Sequence, residues 1–192
     1  MRAFLETFVP LFVSIDAFGL LPLFISFTAG VTAQRRRAIS FEAVFWATVI
    51  CLGFMLLGNA IFGLLGISAY DFMVGGGLIL LVLAVLDLIL PGKPAVEERQ
   101  MVGIVPLAMP LIAGPATLTN ILVLAASHGY AMTVLALAVN FALLLAVLLS
   151  AGWIVRVVGV NVLLAISKLV MVLLVAIAVS LISRGIRGMM GW

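Results

Sequence analysis

The apolar positions of this chain form six long runs in which hydrophobic and polar residues do not alternate. Each run is long enough for a helix that crosses a bilayer, which needs about 20 mostly apolar residues. The missing alternation favours a helical bundle over a β-barrel. The predicted spans are about Phe4–Phe27, Ala43–Leu65, Phe72–Leu90, Ile104–Ala126, Met132–Val155 and Val162–Ser183.

Short polar stretches between the runs predict the loops. These are Ala29–Arg37, Gly66–Asp71, Pro91–Gln100, Ser127–Tyr130 and Arg156–Asn161. All of them are short, so any activity is expected to lie within the membrane part. The first run is too long for a secretory signal and no small-residue cleavage site closes it, so we expect it to be retained.

The composition supports an integral membrane protein. Of 192 residues, 66% are hydrophobic and 9% are charged, and the mean hydropathy is +1.44. Soluble domains are about 45–50% apolar and about 25% charged. This balance excludes a soluble enzyme or a nucleic-acid-binding domain, and no nucleic-acid partner is expected. With one cysteine and one histidine, we expect no internal disulfide, no metal site and no cofactor.

The basic residues are unevenly distributed over the predicted loops and predict the orientation. Membrane proteins concentrate Lys and Arg in cytoplasmic loops. Both termini are therefore predicted to be extracytoplasmic, with the lipid bilayer as the surroundings of a multi-pass chain. One side would hold Arg35, Arg36, Arg37, Lys93, Arg99 and Arg156, and the other Arg2, Arg184 and Arg187.

Six spans in one membrane domain, 1–192, divide into two repeats of three, 1–92 and 93–192. An odd number of spans per half requires the repeats to be inverted relative to each other. Transporters built from inverted repeats bind substrate near the midplane, where corresponding helices are interrupted. The sequence therefore predicts an all-α protein of six transmembrane helices, arranged as two inverted three-helix repeats.

Helix-breaking residues cluster in the first span of each half. A proline inside a helix frees a backbone carbonyl, which lipid tolerates only where protein, water or ligand satisfies it. A simple kink is the alternative explanation for any single proline, but the paired positions favour a site with broken helices in spans 1 and 4. Five of the seven prolines lie there: Pro10, Pro22, Pro106, Pro110 and Pro115.

The candidate binding residues flank these breaks. Gly-Pro at the start of a half-helix exposes backbone N–H groups that suit a carboxylate, and Asp16 would receive the ammonium group. Large apolar neighbours would leave room for a small side chain only. Backbone dipoles and one acid would meet both substrate charges, so no buried arginine is needed, and none lies in these two segments. Asp16 also fits a plain helix cap. The predicted set is Asp16, Gly19, Pro22, Gly114, Pro115, Ala116, Thr117, Thr119 and Asn120.

Three ionisable residues are candidates for coupling transport to H⁺ or Na⁺, because an ionisable group within a span is costly unless it has a function. They are Asp16, Asp87 and Lys168. Asp87 also fits an interfacial acid. Lys168 also fits a side chain that reaches the headgroups, and pairing with Asp16 or Asp87 is the alternative.

Three segments carry a resemblance to a known family: Asp16–Phe24, Val74–Leu81 and Val105–Pro115. They resemble the MarC/SnatA family, whose six-span members include multiple-antibiotic-resistance-type proteins and small neutral amino acid transporters. The resemblance covers the whole chain and implies a polytopic inner-membrane protein. The family usually has Asp-Pro where this chain has Asp16-Ala17, so the first break is expected at Gly19 and Pro22 instead.

The expected function is a secondary transporter of small neutral amino acids: glycine, alanine and, as a third candidate, serine. No nucleotide-binding motif is present, so an ion gradient is the expected energy source. The alternatives are a non-transporting membrane scaffold or regulator, or an exporter of another small metabolite. The chain has no H-E-x-x-H or G-x-S-x-G motif, and an enzyme is not expected.

Overall fold

A computed structural model of the chain describes residues 2–28, 30–89, 103–158 and 160–191. Helices make up nearly all of this part, and it contains no strand. In chain order they are α1 (Arg2–Ile15), α2 (Ala17–Phe27), α3 (Ala33–Leu65), α4 (Ala69–Ile89), the π-helix π1 (Gly103–Ile112), α5 (Pro115–His128), α6 (Tyr130–Val158) and α7 (Val160–Met190).

Helix α3 begins ten residues before the predicted second span. Its start is fixed by Thr32, whose Oγ1 accepts a hydrogen bond of 3.2 Å from Arg35 N. Arg35, Arg36 and Arg37 therefore form the first turns of a helix, and their assignment to a loop was wrong. At the other end Gly66 adopts φ 62° and its N–H bonds to Phe62 O, a backbone geometry that favours glycine. The predicted loop Pro91–Gln100 lies outside the described residues.

Five helical segments of the described chain are long and apolar enough to cross a membrane: Arg2–Ile25, Ala33–Leu65, Ala69–Leu86, Tyr130–Ile154 and Met171–Met190. The fourth predicted span is not among them, because it consists of two shorter helices of 10 and 14 residues, π1 and α5. The chain is thus an all-helical, polytopic membrane protein.

Side-chain contacts show how the helices run. His128 Nε2 lies 3.5 Å from Glu6 Oε2, so the start of α1 and the α5–α6 junction share one end of the bundle. Helix α6 leaves this end and finishes at the opposite one, where Gly152 lies beside Arg36 of α3. Helix α3 returns, and α4 begins where Gly188 of α7 packs on Tyr70. We call these the terminal end and the basic end.

Glycines allow α4 and α7 to pack very closely. A Cβ at Gly185 would lie 2.6 Å from Val74 Cγ2 and 2.8 Å from Tyr70 O. A Cβ at Gly77 would lie 2.7 Å from Ile182 Cγ1. Membrane helices associate through such small residues, because lipid provides no hydrophobic drive between them.

The buried side chains form two groups. The larger one joins α1, α2, α3, π1, α5 and α6, and it includes Leu11, Ile39 and Leu118. The smaller, which we call the α2–α4–α7 cluster, consists of Leu23, Leu80, Ala84, Met171, Leu174, Ala178 and Leu181. Both groups combine residues from the two halves of the chain, so the halves pack against each other. Their division at residue 92 stays a prediction.

Gly185→Ala should destabilise the protein, because the added methyl group would collide with the backbone of α4. A loss of about 1–3 kcal/mol is expected for such overpacking, measured by thermal or denaturant unfolding in detergent. Gly63→Ala is the control, since no atom lies within 4 Å of a Cβ at Gly63. This control should be neutral or stabilising. Equal stability of the two variants would contradict the close α4–α7 contact.

Candidate functional site

The first span is interrupted at Asp16. Helix α1 ends at Ile15, Asp16 adopts φ 45°, and α2 starts at Ala17. The Asp16 carboxylate caps the new helix, since Oδ1 accepts a hydrogen bond of 3.1 Å from Gly19 N. Aspartate is among the few residues that adopt positive φ and also cap helices well. The expected break at Gly19 and Pro22 was therefore misplaced, because both residues lie within α2.

Gly19 is matched to this cap. A Cβ at Gly19 would collide with the Asp16 carboxylate, contacting Oδ2 and Cγ. A larger residue at position 19 would therefore force the carboxylate out of its capping position. The Asp16 cap therefore requires glycine at position 19. Both residues are exposed, and both line the cavity that is described below.

The second interruption lies between π1 and α5. The last π-type bond joins Ala113 N to Ala108 O at 2.8 Å, and Gly114 is extended with ψ 169°. Helix α5 then starts with Pro115 in its first turn, and Gly114 offers no side chain to cap it. The first amide to bond back is Leu118 N, to Gly114 O. The amides of Ala116 and Thr117 are thus left at the positive end of a helix that no described side chain caps.

The two interruptions meet in space. Thr117 is buried, and its Oγ1 donates a hydrogen bond of 3.2 Å to Ser14 O in the last turn of α1. This bond joins residues that are 103 positions apart, and it satisfies a carbonyl at the broken end of α1. On its other side, Pro115 packs directly on Gly76 of α4.

A cavity of ≈ 600 Å³ lies against both interruptions. Two predicted residues do not line it. Pro22 belongs to the interior of α2, and Thr119 uses its hydroxyl within α5, where Oγ1 donates to Pro115 O at 2.7 Å. The predicted residues that do line it are Asp16, Gly19, Gly114, Pro115, Ala116, Thr117 and Asn120.

The structure adds Ser180 and Arg184 of α7 to the lining. Arg184 is exposed and lies outside the two segments from which the pocket was predicted. The sequence placed Arg184 beyond the last apolar run, whereas α7 continues to Met190. Among the described residues, Arg184 forms no ion pair or side-chain hydrogen bond. Arg187, one turn later, donates from Nε to Ser183 O at 3.3 Å and does not line the cavity.

Helix packing places Arg184 near the start of α5. A Cβ at Gly77 of α4 would contact Ala178 and Ile182 of α7, and the adjacent Gly76 touches Pro115 of α5. Ser180, midway between Ala178 and Ile182, therefore lies at about the same height along the bundle as Pro115. Arg184 is one turn, about 6 Å, closer to the terminal end. Helical side chains lean towards the N-terminus of their helix, which directs Arg184 back towards that level.

Most of the remaining lining is apolar, including Val9, Val13, Leu20, Leu111 and Ile177. The cavity of ≈ 600 Å³ is several times larger than alanine needs, since a water molecule occupies about 30 Å³. The cavity volume alone therefore does not impose a small side chain, and the preference for one stays a prediction. Asp87 lies in α4 and Lys168 in α7, but their side chains lie outside the described residues.

The family model described as "MarC family integral membrane protein" matches residues 1–190. The chain belongs to the MarC family. This MarC-family chain is similar to the UPF0056 membrane protein MJ0972 of Methanocaldococcus jannaschii, with 34% identity over 98% of this chain and 89% of the relative.

Two bacterial relatives match over nearly their whole length. The UPF0056 inner membrane protein YhgN of Escherichia coli is 32% identical over 97% of this chain and 98% of its own. The UPF0056 membrane protein YvbG of Bacillus subtilis is 28% identical over 96% of this chain and 94% of its own. No solved structure matches the chain. The comparisons establish a family of integral membrane proteins.

Two substitutions of Asp16 should distinguish its role as a helix cap from the role of its negative charge. Asp16→Asn should keep stability within about 0.5 kcal/mol, because Asn also caps helices and also adopts positive φ. Asp16→Ala should lose about 1–2 kcal/mol, because alanine does neither. Unfolding in detergent measures both values. Equal stability of the two variants would show that Asp16 does not cap α2.

Proposed function

We propose that this protein is a secondary transporter of small neutral amino acids, driven by an ion gradient. The observation that carries the proposal is the cavity at the two helix interruptions. It offers an acid at Asp16 and, at Gly114, a helix start that no side chain caps. A zwitterion needs one group of each kind. Membrane transporters bind substrate at such interrupted helices.

The packing supports six spans in two inverted repeats. If α1–α2 corresponds to π1–α5, then α3 corresponds to α6 and α4 to α7. Helix α6 packs on α1 and α2, just as α3 packs on π1 and α5. Helix α7 packs on α2, as α4 packs on α5, and α1 packs on α5, as π1 packs on α2. Each of these contacts thus has a counterpart when the helices of one half are replaced by the corresponding helices of the other. Because each half has three spans, the second half would cross the membrane in the opposite direction to the first.

In this proposal the substrate carboxylate binds at the amides of Ala116 and Thr117, on the side towards which Arg184 leans. The ammonium group binds Asp16, whose Oδ2 has no hydrogen-bond partner among the described residues. Glycine, alanine and serine satisfy both ends of the site. Lysine and glutamate carry an additional charge into a lining that is otherwise mostly apolar, where an unpaired charge is costly. Selectivity would thus rest on charge.

The shape of the cavity supports alternating access. Val9, Val13 and Arg184 extend the lining from Asp16 towards the terminal end. On the basic-end side of Asp16, the α2–α4–α7 cluster packs Leu23 and Met171 among buried side chains. The cavity would open to the terminal end and be closed at the basic end. Asp16 would carry the coupling H⁺ or Na⁺, with Asp87 and Lys168 as further candidates.

The cavity volume also favours one alternative, export of another small metabolite. A zwitterion larger than alanine would use the same acid and cation within ≈ 600 Å³. A scaffold or regulator would leave the two interruptions and the cavity without a role. Competition among ligands separates these functions.

Purified protein in proteoliposomes should take up labelled alanine under an ion gradient. Unlabelled glycine and serine should compete, because they share both charged groups, whereas lysine and glutamate should not. Competition curves give the selectivity directly. Equal competition by lysine, or no saturable uptake of any small amino acid, would overturn the proposed substrate.

Variants complete this test. Asp16→Asn should fold but lose gradient-driven uptake. Arg184→Gln should weaken alanine binding about tenfold, as expected for the loss of one charged hydrogen bond. Arg187→Gln is the matched control, since it removes the same charge one turn away, outside the cavity lining. Equal effects of the two arginine variants would remove Arg184 from the site.

The proposed orientation places the terminal end outside the cytoplasm. A reporter that is active only outside the cytoplasm should give a signal when fused after Trp192, because Arg35–Arg37 would hold the basic end inside. A fusion after Arg99 should be silent. The reverse pattern of signals would invert the topology and the direction in which the cavity opens.

A further inference from the structure

A second cavity lies at the basic end, between the start of α3 and the end of α6. Its volume is ≈ 200 Å³, and it is separate from the cavity at the helix interruptions. It combines two arginines with leucine and tryptophan side chains. The lining residues are Ala33, Arg36, Arg37, Ser40, Leu148, Leu149, Gly152 and Trp153.

Arg36 has a hydrogen-bonding group without a partner in this cavity. Its Nη2 donates to Thr28 O at 3.3 Å, but its Nε is buried and bonds to no described residue. A buried donor that lacks an acceptor costs free energy, so such groups normally have a partner. The hydroxyl of Ser40, which also lines the cavity, donates to Arg36 O at 3.1 Å and does not bond to Nε. A bound ligand with an acceptor oxygen would satisfy Arg36 Nε, which bonds to no described residue.

The charge around the cavity indicates an anion. Arg36 and Arg37 lie in the first two turns of α3, at the positive end of the helix. Among the described residues, no acid lines the cavity, and the nearby Glu42 is paired with Arg35 at 2.8 Å. A guanidinium group matches the oxygens of a phosphate. The chemistry of the site is that of a phosphate group.

The position of the cavity selects the source of this phosphate. From Tyr130, at the start of α6, to Gly152 the helix rises about 33 Å, slightly more than the hydrocarbon thickness of about 30 Å. Trp153 is 69% exposed, as is typical of tryptophan at the headgroup level. Leu149 continues the apolar surface below it, where an acyl chain would lie.

We propose that this cavity binds the phosphate of an anionic phospholipid. One phosphate oxygen accepts the hydrogen bond from Arg36 Nε, and Arg37 adds a second positive charge. The bound lipid links the start of α3 to the end of α6. Basic pockets between membrane helices bind anionic headgroups in this manner. The site is independent of the proposed transport function, since the two cavities have no described lining residue in common.

The test measures lipid binding to the purified full-length chain in detergent, by titration and native mass spectrometry. The probes are phosphatidylglycerol, phosphatidylcholine and inorganic phosphate. Phosphatidylglycerol should bind at least about tenfold more tightly than phosphatidylcholine, because of the two cationic side chains. Millimolar inorganic phosphate should not displace it, because free phosphate lacks the acyl chains.

Two pairs of variants locate the site. Arg36→Gln should abolish the preference for phosphatidylglycerol, whereas Arg187→Gln, with the same charge change at the terminal end, should keep it. Gly152→Leu should also abolish binding, since its side chain would fill the cavity. Gly152→Ala should bind normally, because a Cβ there meets only Arg36 Nη1, at 3.9 Å. The Gly152 pair decides the question if Arg36→Gln fails to fold.

Three results would overturn the proposal. Unchanged lipid preference in Gly152→Leu would place the lipid elsewhere. Equal binding of phosphatidylcholine and phosphatidylglycerol would show that the arginines do not select an anion. Displacement of lipid by millimolar inorganic phosphate would identify free phosphate as the ligand. If the protein instead prefers phosphatidylglycerol but takes up no labelled small amino acid in proteoliposomes, only the proposed transport function is contradicted.

Discussion

A helix can be interrupted inside a membrane only where the backbone groups that it frees find partners, because hydrocarbon offers none. This constraint accounts for the centre of the molecule. The Asp16 carboxylate caps α2, and Thr117 Oγ1 bonds to Ser14 O at the broken end of α1. The first interruption is thus stabilised partly by Thr117 from the second, and the two interruptions lie side by side.

The two interruptions differ in the charge that they present to the cavity. A carboxylate caps the start of α2, whereas the start of α5 has only Gly114 and Pro115 in the same role. One helix start is therefore neutralised by a fixed acid, and the other keeps its positive end available. This difference between the two helix starts gives the cavity an acidic side and a basic side, and Arg184 lies in the lining as a further basic group.

The two ends of the bundle also differ. At the terminal end, glycines of α7 pack on Tyr70 and Val74, and His128 approaches Glu6. At the basic end, the first turns of α3 carry a run of arginines beside Trp153. Close helix packing dominates one end, and a cluster of basic side chains dominates the other.

The sequence by itself determined the membrane class, the helical nature of the long apolar runs and the two interrupted segments, because long apolar runs and paired prolines are local signals. Only the tertiary structure decided which residues meet. It placed the first interruption at Asp16, because capping and positive φ outweigh the helix-breaking tendency of Gly19 and Pro22. It brought Arg184 into the cavity and removed Thr119 from it, because these outcomes depend on which face of α7 and α5 packs inwards. Contacts such as Thr117 to Ser14 join distant parts of the chain, and no local pattern encodes them.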